Sequence, residues 1–480
     1  MVRYILLAHR YLGIGLGLLM FCWCVSGIVM MYVGYPRLSQ KDRLSALPDL
    51  KLEACCQINL SDQKTVDGLT IAMMAGKAVL RIEEPFSTVT LTNGRQVKTI
   101  NHELILRDYL KINELTEKFH YLGLIERDQW TVAGSYDRHR PLHHYGLKDK
   151  SRTEIYISSQ TGEILQMTIS SQRFWNWIGA VTHWIYPAIL RQNPALWTQV
   201  VIWLSIFGTF LTLTGIYMGL KQFRKGKNKW SPYKGYAYWH HISGLLIGLL
   251  ILTWVFSGLL SMTPYGLLDH TPAKTEREIL KGGPVTLKIL QSAIAGLNRF
   301  PEKIPAGTKR LKISMFAGKA FITTFDHKEQ RLRLRAKDLT ESPLSMDRLQ
   351  SLVNSFMPEH NILSFDRIST GDSYYYSHHR KKHFPVYRVI FNDSDQTRYY
   401  LDDRDGSLLQ KTDQNGKIYR WLFNGLHRWD FSNAVRSRPF WDMLILPFMG
   451  LMTFSCFTGF YLGCKRLTRR KKITKKPQVK

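Results

Sequence analysis

Four long apolar runs decide what this chain can fold into. They lie within residues 1–34, 197–220, 238–264 and 440–463 of 480. Each reaches the roughly 20 residues that a hydrocarbon layer about 30 Å thick demands of a helix. The overall hydropathy is near neutral only because long polar segments dilute these runs. The first run has no short apolar core followed by a small-residue cleavage site, so it reads as an uncleaved span and not as a signal peptide. An integral membrane protein with four spanning helices is the expected class.

Charge supplies the orientation. The loop at 221–237 carries Lys221, Arg224, Lys225, Lys227, Lys229 and Lys234 without an acidic residue. The tail at 464–480 is equally one-sided, with Lys465, Arg466, Arg469, Arg470, Lys471, Lys472, Lys475, Lys476 and Lys480. Basic residues next to spans mark the cytoplasmic side, so both ends of the chain are expected there. The long connections 35–196 and 265–439 then lie outside. About half of the net charge of +29 lies in these two segments, where topology explains it, and no nucleic-acid partner is expected.

The chain is also an internal repeat, and repeats set architecture. His9-Arg-Tyr-Leu-Gly13 through Trp23-Cys-Val-Ser26-Gly27 aligns with His240-His-Ile-Ser-Gly244 through Trp254-Val-Phe-Ser257-Gly258, at a constant offset of 231. Trp177, His183, Trp197, Thr214-Gly215 and Lys221 align with Trp421, His427, Trp441, Thr458-Gly459 and Lys465 at an offset of 244. Each copy is span, outer domain, histidine segment, span. Both copies start on the same side, so the expected fold is a pseudo-two-fold four-helix transmembrane bundle from parallel repeats. Two mixed α+β outer domains accompany it. Residues 153–158 and 398–401 alternate like strands before glycine turns. Residues 287–300 place Leu287, Leu290, Ile294 and Leu297 on one helical face.

Four of the sixteen histidines occupy matched positions at membrane depth or its edge: His9 with His240, and His183 with His427. An ionisable residue within a span is a functional candidate. On the helix of His9, the residues Gly13, Gly17, Met20, Trp23 and Gly27 fall within roughly 80° of it. Gly244 and Gly248 follow His240 in the same way. A histidine followed by glycines on its own face suits a flat metallomacrocycle, the imidazole reaching the metal and the absent side chains admitting the ring. The same glycines also suit close helix packing, and His241 is an alternative partner for His9. His143, His144, His378 and His379 fall in the outer segments and do not align between copies; metal binding, substrate contact and plain surface placement all remain open for them. Cys55 and Cys56 are vicinal, while Cys22, Cys24, Cys456 and Cys464 sit in apolar runs as small hydrophobes. No C-x-x-C-H occurs for covalent haem attachment.

These motifs resemble the PepSY-associated transmembrane family over nearly the whole chain. The resemblance is carried by residues 174–187 (FWNWIGAVTHWIYP), by residues 239–248 (WHHISGLLIG) and by Arg438-Pro-Phe-Trp-Asp442. It implies PepSY-like outer domains in a multi-pass protein of a bacterial inner membrane. The family includes dihaem ferric-siderophore reductases. The implied cofactors are two b-type haems, with His9, His183, His240 and His427 as axial ligands. The implied activity is electron transfer from a cytoplasmic reductase or membrane quinol to a periplasmic ferric siderophore or other ferric chelate. The rival expectation is a non-catalytic scaffold whose outer domains bind an envelope partner or peptidase; a metal transporter is a third.

Overall fold

The computed structural model describes every residue except 1, 53–54, 61–64, 116–117, 225–229, 379–380 and 474–480. His379, the loop lysines 225, 227 and 229, and the tail lysines 475, 476 and 480 therefore lie outside the described residues. The chain divides into two compact units, one of residues 1–35, 171–269 and 415–480, the other of residues 36–170 and 270–414.

The first unit holds four helices long and apolar enough to cross a membrane: α1 (Val2–Met30), α2 (Pro194–Gln222), α3 (Tyr236–Leu260) and α4 (Phe440–Ile473). They are apolar on all faces, as a helix surrounded by lipid and by other helices must be. Asn193 caps α2, its side chain accepting from the Leu196 amide at 3.0 Å, and Pro194 takes the first turn where no amide is needed. The helix α3 ends before Thr263, which turns left-handed at φ 41° ahead of Pro264. The helix α4 runs past residue 463 because Lys465 and Arg466 are good helix formers.

The helices pack in a ring, α1 on α2, α2 on α3, α3 on α4 and α4 on α1. The repeat maps α1 onto α3 and α2 onto α4, so the ring maps onto itself. A Cβ on Gly17 would meet the Phe460 backbone at 3.3 Å, and one on Gly248 would meet Ile216 at 3.0 Å. Both glycines thus let neighbouring helices approach closely. Met20, Leu211, Ile247, Ile251, Ile445 and Met449 fill the middle of the bundle. There the Cys24 thiol sits 3.7 Å from that of Cys456.

The second unit is β-rich. Its first segment supplies β1 (Leu69–Met74), β2 (Lys77–Ile82), β3 (Ser87–Thr90), β4 (Phe119–Ile125), β5 (Leu142–Leu147), β6 (Glu154–Ser158) and β7 (Ile164–Thr168). Its second supplies β8 (Arg310–Phe316), β9 (Lys319–Phe325), β10 (Arg331–Arg335), β11 (Ile362–Ile368), β12 (Val386–Phe391), β13 (Arg398–Asp402) and β14 (Leu408–Thr412). Strands β4 to β7 and β11 to β14 each form a four-stranded antiparallel sheet. The expected strand at 153–158 is observed as Glu154–Ser158, and that at 398–401 as Arg398–Asp402.

The remaining strands join the segments. The order β10-β9-β8-β1-β2-β3 makes one six-stranded sheet, with Leu311 of β8 opposite Ile71 of β1. Residues 35–196 and 265–439, read from sequence as two domains, meet in this single sheet. Leu69, Ile71, Leu80, Leu311 and Ile322 are fully buried in its core. The amphipathic helix Leu287–Arg299 lies in the same core through Leu290, Ile294 and Leu297, and Thr286 caps it. Cys55 and Cys56 are joined as a disulfide.

Candidate functional site

The four repeated histidines come together as two facing pairs inside the helical unit. The ring centroids of His9 and His240 lie 6.3 Å apart, and those of His183 and His427 lie 6.2 Å apart. Helices α1 and α3, diagonal in the ring, carry the first pair. The second pair sits on short helical segments that enter through π turns at Trp177–Val181 and Arg420–Gly425. Such turns re-aim the chain by inserting one extra residue and recur where a side chain must be pointed at a site.

Each imidazole is held through its Nδ1. His9 donates to the Leu211 carbonyl at 3.1 Å and His240 to the Ser455 carbonyl at 3.1 Å. His183 donates to the Trp23 carbonyl at 3.2 Å and His427 to the Trp254 carbonyl at 3.0 Å. Hydroxyls join each contact. Ser26 and Ser257 lie 3.1 Å from Nδ1 of His183 and His427. Thr214 and Thr458 lie 3.4 and 3.3 Å from Nδ1 of His9 and His240. Every partner maps onto its counterpart under the repeat. A carbonyl only accepts, so Nδ1 carries the proton and Nε2 keeps its lone pair. Orientation of a ligating imidazole through the other ring nitrogen is the usual support for a metal-binding histidine.

His241 does not compete for His9. Its Nε2 donates to the Gly219 carbonyl at 2.8 Å and its Nδ1 accepts from the Ser231 hydroxyl at 2.8 Å, so neither nitrogen is open to a metal. The pairing of His9 with His240 follows.

Space has been left beside the rings. A Cβ on Gly215 would stand 2.7 Å from His9 Cε1, and one on Gly459 would stand 2.8 Å from His240 Cε1. Gly27 and Gly258 do the same at 3.5 and 3.4 Å for His183 and His427. Around His9 and His240 opens a cavity of about 340 Å³, lined also by Gly13, Gly17, Gly244, Gly248, Arg10 and Arg466. Gly13 and Gly244 face open space, since an added Cβ would meet its nearest neighbour only at 3.9 Å. Gly17 and Gly248 line the cavity and make close helix contacts at once. The Thr-Gly and Ser-Gly pairs are visible in the sequence as repeat markers, but their role beside the histidines appears only in three dimensions.

Along α1, Trp23 lies 14 residues beyond His9 (23 − 9), about 21 Å at 1.5 Å per residue. The two histidine pairs are therefore far apart along the bundle, with the apolar core of Met20 and Ile251 between them.

Further histidines among the described residues sit in the β-rich unit. His143 stacks on His102 at 3.6 Å and contacts the Tyr121 hydroxyl at 3.0 Å, while His102 pairs with the Tyr145 hydroxyl. His144 contacts Glu154 at 3.2 Å. His378 is half-buried in the loop before β12. Burial, followed by the neighbouring His102, lowers the His143 imidazole to about 4. The unfolded chain therefore binds the additional proton between about pH 6.5 and 4, and this group's contribution to stability, complete above pH 6.5, is lost as the pH falls towards 4. Chemical unfolding followed across that window is expected to show declining stability on acidification, with a shallower decline in His143→Phe.

Comparison with protein-family models and with curated proteins finds no match to this chain. The fold combines a unit of four helices long and apolar enough to cross a membrane, a β-rich second unit and two pairs of neighbouring imidazoles.

Proposed function

We propose that this chain is a dihaem membrane protein of the PepSY-associated type that passes electrons across a bacterial inner membrane to reduce a periplasmic ferric complex. The observation that carries the reading is the separation of the paired rings. Two imidazoles bonded to opposite sides of one metal at about 2.0–2.1 Å each place their ring centroids about 6 Å apart. Both pairs, at 6.3 and 6.2 Å, fit that spacing. The glycine-lined cavity at His9 and His240 supports a flat ring lying between helices.

A b-type haem at each pair supplies reversible one-electron transfer, at a potential tuned by axial ligand, hydrogen bonding and burial. The chain's own residues do the rest. Leu211, Ser455, Trp23 and Trp254 fix the tautomer through their carbonyls and raise the basicity of each Nε2. Gly215, Gly459, Gly27 and Gly258 leave room for the rings in that orientation. The apolar layer between the pairs excludes water and small ions. The basic segments beside α2, α3 and α4 support cytoplasmic termini. The electron donor in this reading is a separate cytoplasmic reductase or membrane quinol. One electron converts Fe(III) to Fe(II), whose lower charge holds hard oxygen chelators less tightly, and a ferric siderophore then releases its iron. A scaffold that binds an envelope partner has no use for four Nδ1-anchored imidazoles in matched pairs.

The test is anaerobic mixing of the dithionite-reduced, desalted protein with a ferric hydroxamate chelate. Reoxidation of the haem bands with stoichiometric capture of Fe(II) by a colorimetric ferrous chelator is expected. Haem bands that stay reduced would leave electron transfer to some other acceptor.

A further inference from the structure

The two four-stranded sheets are copies of one another. Strands β5, β6 and β7 begin at 142, 154 and 164, and β12, β13 and β14 at 386, 398 and 408, a constant difference of 244. One polar site is built at the same place in both. In the second copy the Tyr400 hydroxyl donates to Asp372 at 2.8 Å, and Arg388 and Arg398 reach the same carboxylate at 3.3 and 3.9 Å. In the first copy the Tyr156 hydroxyl donates to Asp128 at 2.6 Å, so the tyrosine–aspartate pair is retained. The two arginine positions, however, hold His144 and Glu154 (388 − 244 and 398 − 244). A carboxylate facing two guanidinium groups has become two carboxylates and an imidazole.

We infer that Asp128, His144 and Glu154 form a divalent-metal site, distinct from the histidine pairs and independent of the haem reading. One nitrogen or oxygen from each of the three lies within 4.8 Å of the other two. A cation bonded at about 2.0–2.2 Å holds neighbouring ligand atoms about 3–3.6 Å apart, a spacing that His144 Nε2 and Glu154 Oε2 already have at 3.2 Å. The donors are already steered. His144 stacks on Tyr156 with centroids 4.4 Å apart, and its Nε2 lies 3.2 Å from Glu154 Oε2. Asp128 Oδ1 accepts from the Trp130 and Thr131 amides, which anchors that carboxylate. The Tyr156 hydroxyl also stands 2.9 Å from Glu154 Oε2. It donates to one carboxylate at a time, whereas a cation serves both. One imidazole and two carboxylates suit a borderline first-row cation such as Zn²⁺ or Mn²⁺. The His144 and Glu154 side chains are 14 % and 24 % exposed, sheltered but reachable from solvent.

The test uses the full chain in detergent, stripped with a chelator and dialysed against micromolar Zn²⁺, with metal counted by mass spectrometry. Three variants are compared with the unaltered protein: Glu154→Gln, the double change His144→Arg with Glu154→Arg, and Asp372→Asn. The double change installs the second copy's residues on the same backbone, and far-UV circular dichroism confirms that each variant is folded. The expected result is one Zn²⁺ per chain fewer in the first two variants, or binding weakened at least tenfold, with Asp372→Asn unaltered. Zn²⁺ is also expected to raise the thermal midpoint of the unaltered chain but not of the first two variants, because a ligand specific to the folded state stabilises it by mass action. Equal uptake by all four proteins, or no uptake by the unaltered chain, overturns the site and leaves a hydrogen-bonded network only.

Discussion

Purified from cells with ample haem, the unaltered chain is expected to carry two b-type haems with low-spin spectra, and His9→Ala is expected to carry one. His240→Ala removes the same haem as His9→Ala, because the two rings face each other at 6.3 Å. His183→Ala and His427→Ala remove the other. Pyridine haemochrome quantitation counts the haems, and the double variant His9→Ala with His183→Ala is expected to be colourless. The effect is expected to be close to all-or-none because each variant would remove one of the two imidazoles of a facing pair. His241→Ala is the informative control. His241 neighbours His240 in sequence yet spends both nitrogens on Ser231 and Gly219, so this variant retains two haems. A colourless unaltered protein would remove the electron-transfer reading and leave the scaffold in front.

The second large effect comes from a single methyl group. Gly215→Ala is expected to abolish low-spin ligation at the His9–His240 pair while leaving the other pair intact. The new Cβ would stand 2.7 Å from His9 Cε1, well inside van der Waals contact. The His9 ring is fixed by its bond to the Leu211 carbonyl, so relief comes only by breaking that bond or by moving α2 off α1. Gly459→Ala is expected to do the same from the other side, at 2.8 Å from His240. Gly15→Ala supplies the comparison, since nothing lies within 4 Å of its added Cβ. Alanine is otherwise the better helix former by about 1 kcal/mol, so any loss seen at Gly215 and not at Gly15 is steric. Reduced-minus-oxidised spectra distinguish the outcomes; an unchanged low-spin spectrum in Gly215→Ala would show that the ring is not held where the structure puts it.

Sequence alone determined the four long apolar helices, because length and apolarity are local properties. It also determined the repeat and the four histidines, because duplication leaves fixed offsets that need no coordinates. The strands at 154–158 and 398–402 and the helix at 287–299 were legible for the same reason, since alternation and 3.6-residue periodicity are written along the chain. Only the tertiary structure decided the rest. The choice of His240 over His241 rests on hydrogen bonds to residues ten and twenty-two positions away. Which glycines face open space and which let a neighbouring helix approach depends on which helix lies opposite. The six-stranded sheet joins β1 to β8 across more than two hundred residues, and strand pairing at that range is not specified by either strand's own pattern. The contrast between Asp128 with His144 and Glu154, and Asp372 with two arginines, needed both copies folded, because the residues of each site come from a loop and two neighbouring strands that only the sheet register brings together.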